Sequence, residues 1–156
     1  MPDERKSCRE VYDVYRDYLK HEDSLINNRM TWLILSQSFF FTTYALAIGR
    51  LSAAEEPIRT QIETFLNAVA TLGIIVGFAT CMSILAALNA IEGLKRRWAN
   101  HGANEATENP TFAEERKRLP DLTGGGNAFA SIFGFFMPIV MPLIFVGIWF
   151  YVLQIV

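Results

Sequence analysis

Four polar side chains of one long hydrophobic segment have types and a spacing that suit ion coordination. Asn67 and Thr71 lie one helical turn apart, and Asn89 and Glu92 lie three residues apart towards the end of the same segment. Many pores select ions by means of rings of amide and carboxylate oxygens at a narrow point of the pore. The pattern predicts an aqueous path along this helix in an oligomer, with Gln37 of the preceding segment as a further lining candidate.

The same polar groups also fit a helix that is packed on both sides. Amides inside a membrane hydrogen-bond to neighbouring helices and hold them together. Gln37 is costly to expose to lipid, so we expect it to point to another helix or to water. The sequence leaves the pore lining and the packing role open for all of these residues.

Three uncharged stretches determine the fold class. Asp, Glu, Lys and Arg are absent from 30–49, from 64–91 and from 122–156. Crossing a hydrocarbon core about 30 Å thick takes roughly 20 apolar residues in a helix, and each stretch reaches that length. Buried helices of a soluble bundle would carry charged stripes, which these stretches lack. We predict an all-α protein with three transmembrane helices, in which 1–156 is a single membrane domain.

The predicted domain divides into an N-terminal helix, three spans and a long connection. These segments are a cytoplasmic amphipathic helix at 1–29, spans at 30–49, 64–94 and 128–155, and a cytoplasmic connection at 95–127. A helix over the second span would be roughly 46 Å long, so it is expected to tilt or to project from the membrane. A capping box from Thr111 to Glu114 predicts a short helix through Arg118, and the glycines at 124–126 predict a flexible join.

The N-terminal helix carries an apolar stripe with tyrosines. Val11, Val14, Tyr15, Tyr18 and Leu19 recur at helical spacing, with Asp, Arg and Lys between them. Mixed charge argues against a helix whose main task is to bind anionic lipid. We expect this stripe to pack against protein, either a neighbouring subunit or the long connection. Because no proline or glycine intervenes, the helix could continue into the first span.

Small residues in the second span predict close helix contacts. The small-xxx-small spacing, which lets helix backbones approach, occurs on two neighbouring faces made by Ala70, Gly73 and Gly77 and by Ala79 and Ser83. We expect the glycine face to serve association between copies of the chain. The third span contains Pro138 and Pro142, each of which removes a backbone hydrogen bond and should kink the helix.

Positive charge predicts the orientation. Lys and Arg are concentrated in 1–29 and 95–127, whereas the short connection carries only Arg50 and Arg59. Because cytoplasmic loops are enriched in Lys and Arg, the N-terminus is predicted to be cytoplasmic and the C-terminus outside. The residues placed to fix the helices at the interface are Arg29, Trp32 and Trp98.

Composition and the remaining reactive residues favour no catalytic function. A net charge of -2 gives no support to a nucleic-acid partner. Cys8 and Cys81 are isolated thiols, and His21 and His101 lie in separate polar segments without metal-ligand spacing. The sequence therefore predicts neither an enzyme nor a cofactor or metal requirement.

The stretch from His21 to Trp32 reads HEDSLINNRMTW. This stretch and the first span, over residues 21–48, resemble small uncharacterised bacterial membrane proteins at the point where their first span begins. The resemblance implies location in the bacterial inner membrane and carries no activity with it.

Two functional hypotheses follow from these patterns. The first is a homo-oligomeric, cation-permeable pore with the second span nearest the axis, where Glu92, and Glu63 at the outer mouth, favour cations. Its partners would be the bilayer, further copies of the chain and inorganic ions. The alternative is a non-conducting scaffold or accessory subunit that binds a partner protein through its cytoplasmic helices.

Overall fold

A computed structural model describes residues 7–120, 122 and 128–155. For residues 106, 108 and 128–135 it describes the backbone but not the side chains. The described residues form helices α1 (Cys8–Leu51), α2 (Glu56–Glu108), α3 (Pro110–Arg118) and α4 (Ala128–Ile155). Within the described part of the chain, α1, α2 and α4 each contain a stretch that is long and apolar enough to cross a membrane. The predicted all-helical class is confirmed for these residues, as is the number of helices that could cross a membrane. The glycines at 124–126 lie outside the described residues.

Helix α1 begins with a capping box made by Ser7 and Glu10. The Ser7 Oγ accepts from the backbone N–H of Glu10 at 3.3 Å, and the Glu10 carboxylate accepts from the backbone N–H of Ser7 at 3.2 Å. This reciprocal pair satisfies N–H groups that have no partner within the helix. From there the helix continues without a break into the first apolar stretch.

The cap of α3 lies two residues earlier than predicted. The Asn109 side-chain oxygen accepts from the backbone N–H groups of Thr111 and Phe112, at 3.1 and 3.4 Å. Pro110 follows as the first helical residue, where its missing N–H costs nothing. Asn109 therefore takes the capping role predicted for Thr111, while the end of the helix at Arg118 is confirmed.

The chain separates into two compact units. One, here called the charged unit, comprises the described residues of Met1–Leu25 and Ala86–Gly134; the other, the apolar unit, comprises Ile26–Leu85 and Phe135–Val156. Helix α2 contributes to both, and it extends through Glu108, 14 residues beyond the end of the predicted second span at 94. The last residues of the predicted second span, 86–94, thus belong to the charged unit.

Candidate functional site

One buried amide joins three helices in the apolar unit. The Gln37 side chain is 0% exposed. Its Nε2 donates to the Gly73 carbonyl of α2 at 3.1 Å, and its Oε1 accepts from the Trp149 indole Nε1–H of α4 at 2.6 Å. Gln37 was predicted to point either to another helix or to water, and in the structure its side chain points to the neighbouring helices α2 and α4. Its assignment to a pore lining is corrected, because both ends of the amide are bonded within the core.

Trp149 is the centre of this core. Its ring is 0% exposed and stacks on Phe41, with ring centroids 4.5 Å apart and planes 8° from parallel. Tyr44 meets the ring edge at 5.6 Å, and Val69 and Ala70 of α2 complete the buried cluster. Aromatic pairs in such geometry add stability beyond the area that they bury.

The two glycines of α2 make room for α4. A Cβ atom at Gly73 would overlap the Trp149 ring, and one at Gly77 would lie 2.7 Å from the Val146 methyl group. The glycine face is therefore occupied by α4 of the same chain, not left open for another copy as the sequence suggested. On the neighbouring face, Ala79 is exposed and Ser83 is half-buried.

Arg29 holds α1 to α2 near one end of the apolar unit. Its guanidinium Nη1 donates to the Ser83 carbonyl at 2.9 Å, so this predicted anchor contacts protein backbone. Trp32, one turn further along α1, is 73% exposed. An exposed indole at this position is free to lie at a membrane interface, as the sequence predicts.

Asn67 and Thr71 lie on the exposed side of α2 in the apolar unit. The Thr71 hydroxyl donates to the Asn67 carbonyl of its own helix at 2.8 Å. Within the described residues the Asn67 amide has no protein partner, unlike Gln37, whose hydrogen bonds are made inside the chain. Ala70 lies on the buried side of the same turn.

Asn89 and Glu92 belong to the charged unit, where both are exposed. The Glu92 carboxylate pairs with the Arg96 side chain one turn later, at 3.2 Å. Glu63, in the apolar unit, makes the corresponding pair with Arg59 at 3.1 Å. Each carboxylate predicted to attract cations therefore has an arginine neighbour, and exposed pairs of this kind contribute only about 0.3–0.5 kcal/mol.

Trp98 packs within the charged unit. Its ring lies 5.8 Å from the ring of Tyr12 and 5.5 Å from that of Tyr15, both on α1. The expected contact of the tyrosine stripe with the long connection is thus confirmed at Tyr15. The stripe itself is shifted, because Cys8, Tyr12 and Leu19 are its buried members while Val14 and Tyr18 are exposed. Trp98 was predicted to be an interface anchor, and in the structure its ring contacts the Tyr12 and Tyr15 rings.

A cation lies against the same tryptophan. The Arg116 guanidinium carbon is 5.5 Å from the centre of the Trp98 ring. A Cβ atom at Gly102, one turn after Trp98 on α2, would overlap this guanidinium, so the glycine makes room for it. Lys95, Trp98 and Arg116, with Ala99, Leu119, Pro120 and Leu122, line a cavity of about 270 Å³ in the charged unit.

The start of α1 is tied to α3 beside this cluster. The Glu115 carboxylate accepts from the backbone N–H of Cys8 at 3.2 Å. Burial raises the pKa of the Cys8 thiol, the Glu115 carboxylate adds to the rise, and Arg116 opposes it. His101 meets Phe112 edge to face, and the described residues contain no group of three or more His, Cys, Asp or Glu that could hold a metal ion.

Sequence reasoning missed Trp149, Gly102 and Arg116. Trp149 stood among many aromatic residues of the third span, and the pattern alone gave no sign that it pairs with Gln37. Arg116 and Gly102 are 14 positions apart in the chain, so no local spacing connects them. The Ser7-x-x-Glu10 pattern, in contrast, was a readable signal for the start of α1.

Comparison with known proteins adds no relative. No family model, no curated protein and no solved structure matches this chain.

Proposed function

We propose that this protein forms a homo-oligomeric, cation-permeable pore in which the exposed side of α2 lies nearest the axis. The observation that carries the proposal is the Asn67 amide, which is exposed within the uncharged stretch of α2 at 64–91 and has no protein partner among the described residues. Three helices that are long and apolar enough to cross a membrane support a membrane location for this function, with the bacterial inner membrane and a cytoplasmic N-terminus as its proposed setting.

The packing of one chain supports a pore built between copies. Trp149, Gln37 and Leu33 are fully buried in the apolar unit, so these side chains fill the interior of the three-helix packing. The glycine face of α2 is covered by α4. A water path would therefore use the outer side of α2, with equivalent sides of further copies around it.

The chemistry of the exposed strip suits ions in water better than lipid. An unpaired amide in hydrocarbon costs free energy, so such residues face a bundle interior or a water-filled cavity. In the oligomer, the Asn67 side chains would supply a ring of amide oxygens. Thr71 would supply a hydroxyl oxygen, because its hydroxyl hydrogen is donated to the Asn67 carbonyl of the same helix. Oxygen atoms presented in this way replace part of the hydration shell of a cation.

Carboxylates would add a preference for positive ions. Glu63 and Glu92 are the candidates, and the arginine beside each weakens the field that a permeant ion meets. We expect modest cation selectivity that falls with rising salt, because exposed charges are screened within about 8–10 Å.

Ion flux into liposomes that carry the purified full-length protein tests the proposal. We expect flux in the wild type and a clear reduction in Asn67→Leu and Thr71→Val. Thr42→Val is the matched control, because the Thr42 hydroxyl is also exposed and also donates to its own helix backbone at 2.8 Å, but on α1. Liposomes that stay tight to ions under varied pH, voltage and tension would refute the pore.

One observation favours a second candidate, a non-conducting scaffold or accessory subunit. Val14 and Tyr18 are 49% and 59% exposed, one turn apart on α1 in the charged unit. An apolar pair on the charged N-terminal part of α1 is a small surface on which a partner protein could dock. In this case a protein would co-purify with the full-length chain and be lost in Tyr18→Glu, while the liposomes would show no flux.

A further inference from the structure

We propose that the cavity of the charged unit binds a phosphate group. The cavity is lined by two cationic side chains, Lys95 and Arg116, together with the Trp98 ring. At about 270 Å³ it lies just below the range for drug-sized ligands, so it suits one phosphate and a small attached group. The inference concerns a binding site and is independent of whether the protein conducts ions.

Arg116 is the residue on which this inference depends. Four other basic residues are paired with carboxylates one turn away or less: Lys20 with Asp17, Arg59 with Glu63, Arg96 with Glu92 and Lys117 with Glu114. Further arginines make no such pair within the described residues, but they are exposed, whereas Arg116 is half-buried: Arg9, Arg16, Arg50, Arg97 and Arg118. No carboxylate within the described residues lies at ion-pair distance from Arg116, and nearby Glu115 is bonded to the start of α1 instead. Arg116 is half-buried and lines the cavity, and within the described part of the chain its guanidinium donates no hydrogen bond to a protein group.

The surroundings hold this guanidinium in place. Trp98 supports it from one side by a cation–π contact, and Gly102 leaves the space that it occupies across α2. A guanidinium fixed on an aromatic ring loses less conformational entropy when it binds an anion. Its planar fork of N–H groups matches two oxygens of a phosphate, which is why arginine is common in phosphate sites.

Two sources could supply the phosphate. One is a soluble phosphate compound, and the other is the headgroup of an anionic lipid, since basic pockets on the cytoplasmic side of membrane proteins bind such headgroups. The bonding to Arg116 would be the same in both. The experiment therefore needs one arm for each source.

The test uses full-length protein in phosphatidylcholine nanodiscs. In one arm, inorganic phosphate is titrated against chloride at equal ionic strength and binding heat is recorded. In the other arm, phosphatidylglycerol is added to the nanodiscs, and the lipid retained after detergent extraction is measured. We expect specific binding in at least one arm, which also identifies the source.

Three variants decide whether the site is the one described. Arg116→Gln should weaken binding by roughly ten- to a hundredfold, because a charge-assisted contact is lost. Gly102→Ala keeps the charge but displaces the flexible end of Arg116 from Trp98, so it should weaken binding while the helices stay intact. Arg118→Gln is the control, since it removes an exposed charge from the same turn of α3.

The outcomes separate cleanly. Weaker binding in Gly102→Ala than in Arg118→Gln supports the site even if Arg116→Gln fails to fold. Absence of binding in both arms, or equal loss in Gly102→Ala and Arg118→Gln, would overturn it. Because ion flux is not the readout, failure of the pore proposal would leave this result unaffected.

Discussion

Each of the two units is organised around one tryptophan, and the two rings are used in opposite ways. In the apolar unit Trp149 is completely buried, donates its N–H to Gln37 and stacks on Phe41. In the charged unit Trp98 is half-buried, carries the Arg116 guanidinium and borders a cavity. The Trp149 ring fills the core of the apolar unit, whereas the Trp98 ring lines the cavity of the charged unit.

The different surroundings of the two tryptophan rings follow from the different solvents of the two units. Inside a membrane no water is available, so a buried indole N–H needs a partner from the chain itself. In an aqueous setting a cation can lie on an aromatic ring without a carboxylate partner, because water still reaches it. Gln37 and Arg116 differ in the same way. Both ends of the Gln37 amide are hydrogen-bonded within the chain, whereas Arg116 has no carboxylate partner within the described residues.

Removing each ring should give the largest contrast. Trp149→Ala leaves a cavity and an unpaired Gln37 oxygen, so we expect a loss of about 3–5 kcal/mol in the free energy of unfolding. Trp98→Ala removes a half-buried ring and should cost less. Unfolding in mixed micelles, followed by the helical circular dichroism signal, measures both. Equal losses would contradict the difference between the two units.

Adding one methyl group should sharpen the comparison. Gly73→Ala presses on the Trp149 ring, which is buried, stacked on Phe41 and bonded to Gln37, and should destabilise by about 1–3 kcal/mol. Gly102→Ala presses only on the end of a flexible arginine and should be near neutral. Gly147→Ala meets no atom within 4 Å and should stabilise α4 by about 0.5–1 kcal/mol. The same unfolding measurement would reject this ranking if Gly102→Ala proved the costliest.

Removing the buried amide should have a smaller effect than removing the ring that it binds. Gln37→Met keeps the volume of the side chain but leaves the Trp149 N–H without a partner. Hydrogen bonds between membrane helices contribute about 1–2 kcal/mol or less, so a loss of that size is expected. Gln61→Met, at an exposed position of α2, is the control and should stay within about 0.5 kcal/mol of the wild type.

The smallest expected effect concerns pH and the charged unit alone. The pKa of the Cys8 thiol is raised in the folded protein by burial. The stability that comes from the protonated thiol is complete below the ordinary thiol pKa and is lost as the pH rises towards the folded value. The wild type should therefore lose more thermal stability than Cys8→Ala between neutral and alkaline pH. Parallel losses in the two proteins would show that the thiol has no such role.

The three spans could be predicted because charged residues are absent over stretches long enough to cross a membrane, and helical spacing of apolar residues predicted the N-terminal helix. The three spans and the end of α3 at Arg118 needed no tertiary information. The site needed contacts between distant segments, such as Gln37 with Trp149 and Gly102 with Arg116. A glycine pair predicts close packing but does not say which helix fills it. Here α4 of the same chain does so.

Water access to the exposed side of α2 is the most direct test of a pore between copies of this chain. With the buried thiols Cys8 and Cys81 replaced by alanine, Thr71→Cys and Thr42→Cys each provide one thiol on an exposed helix surface. A charged thiosulfonate reagent that cannot cross the bilayer is applied to the protein in liposomes. We predict that Thr71→Cys is labelled and that labelling changes ion flux, while Thr42→Cys remains protected. Equal protection of both thiols would mean that this side of α2 faces lipid or protein, and it would contradict the pore.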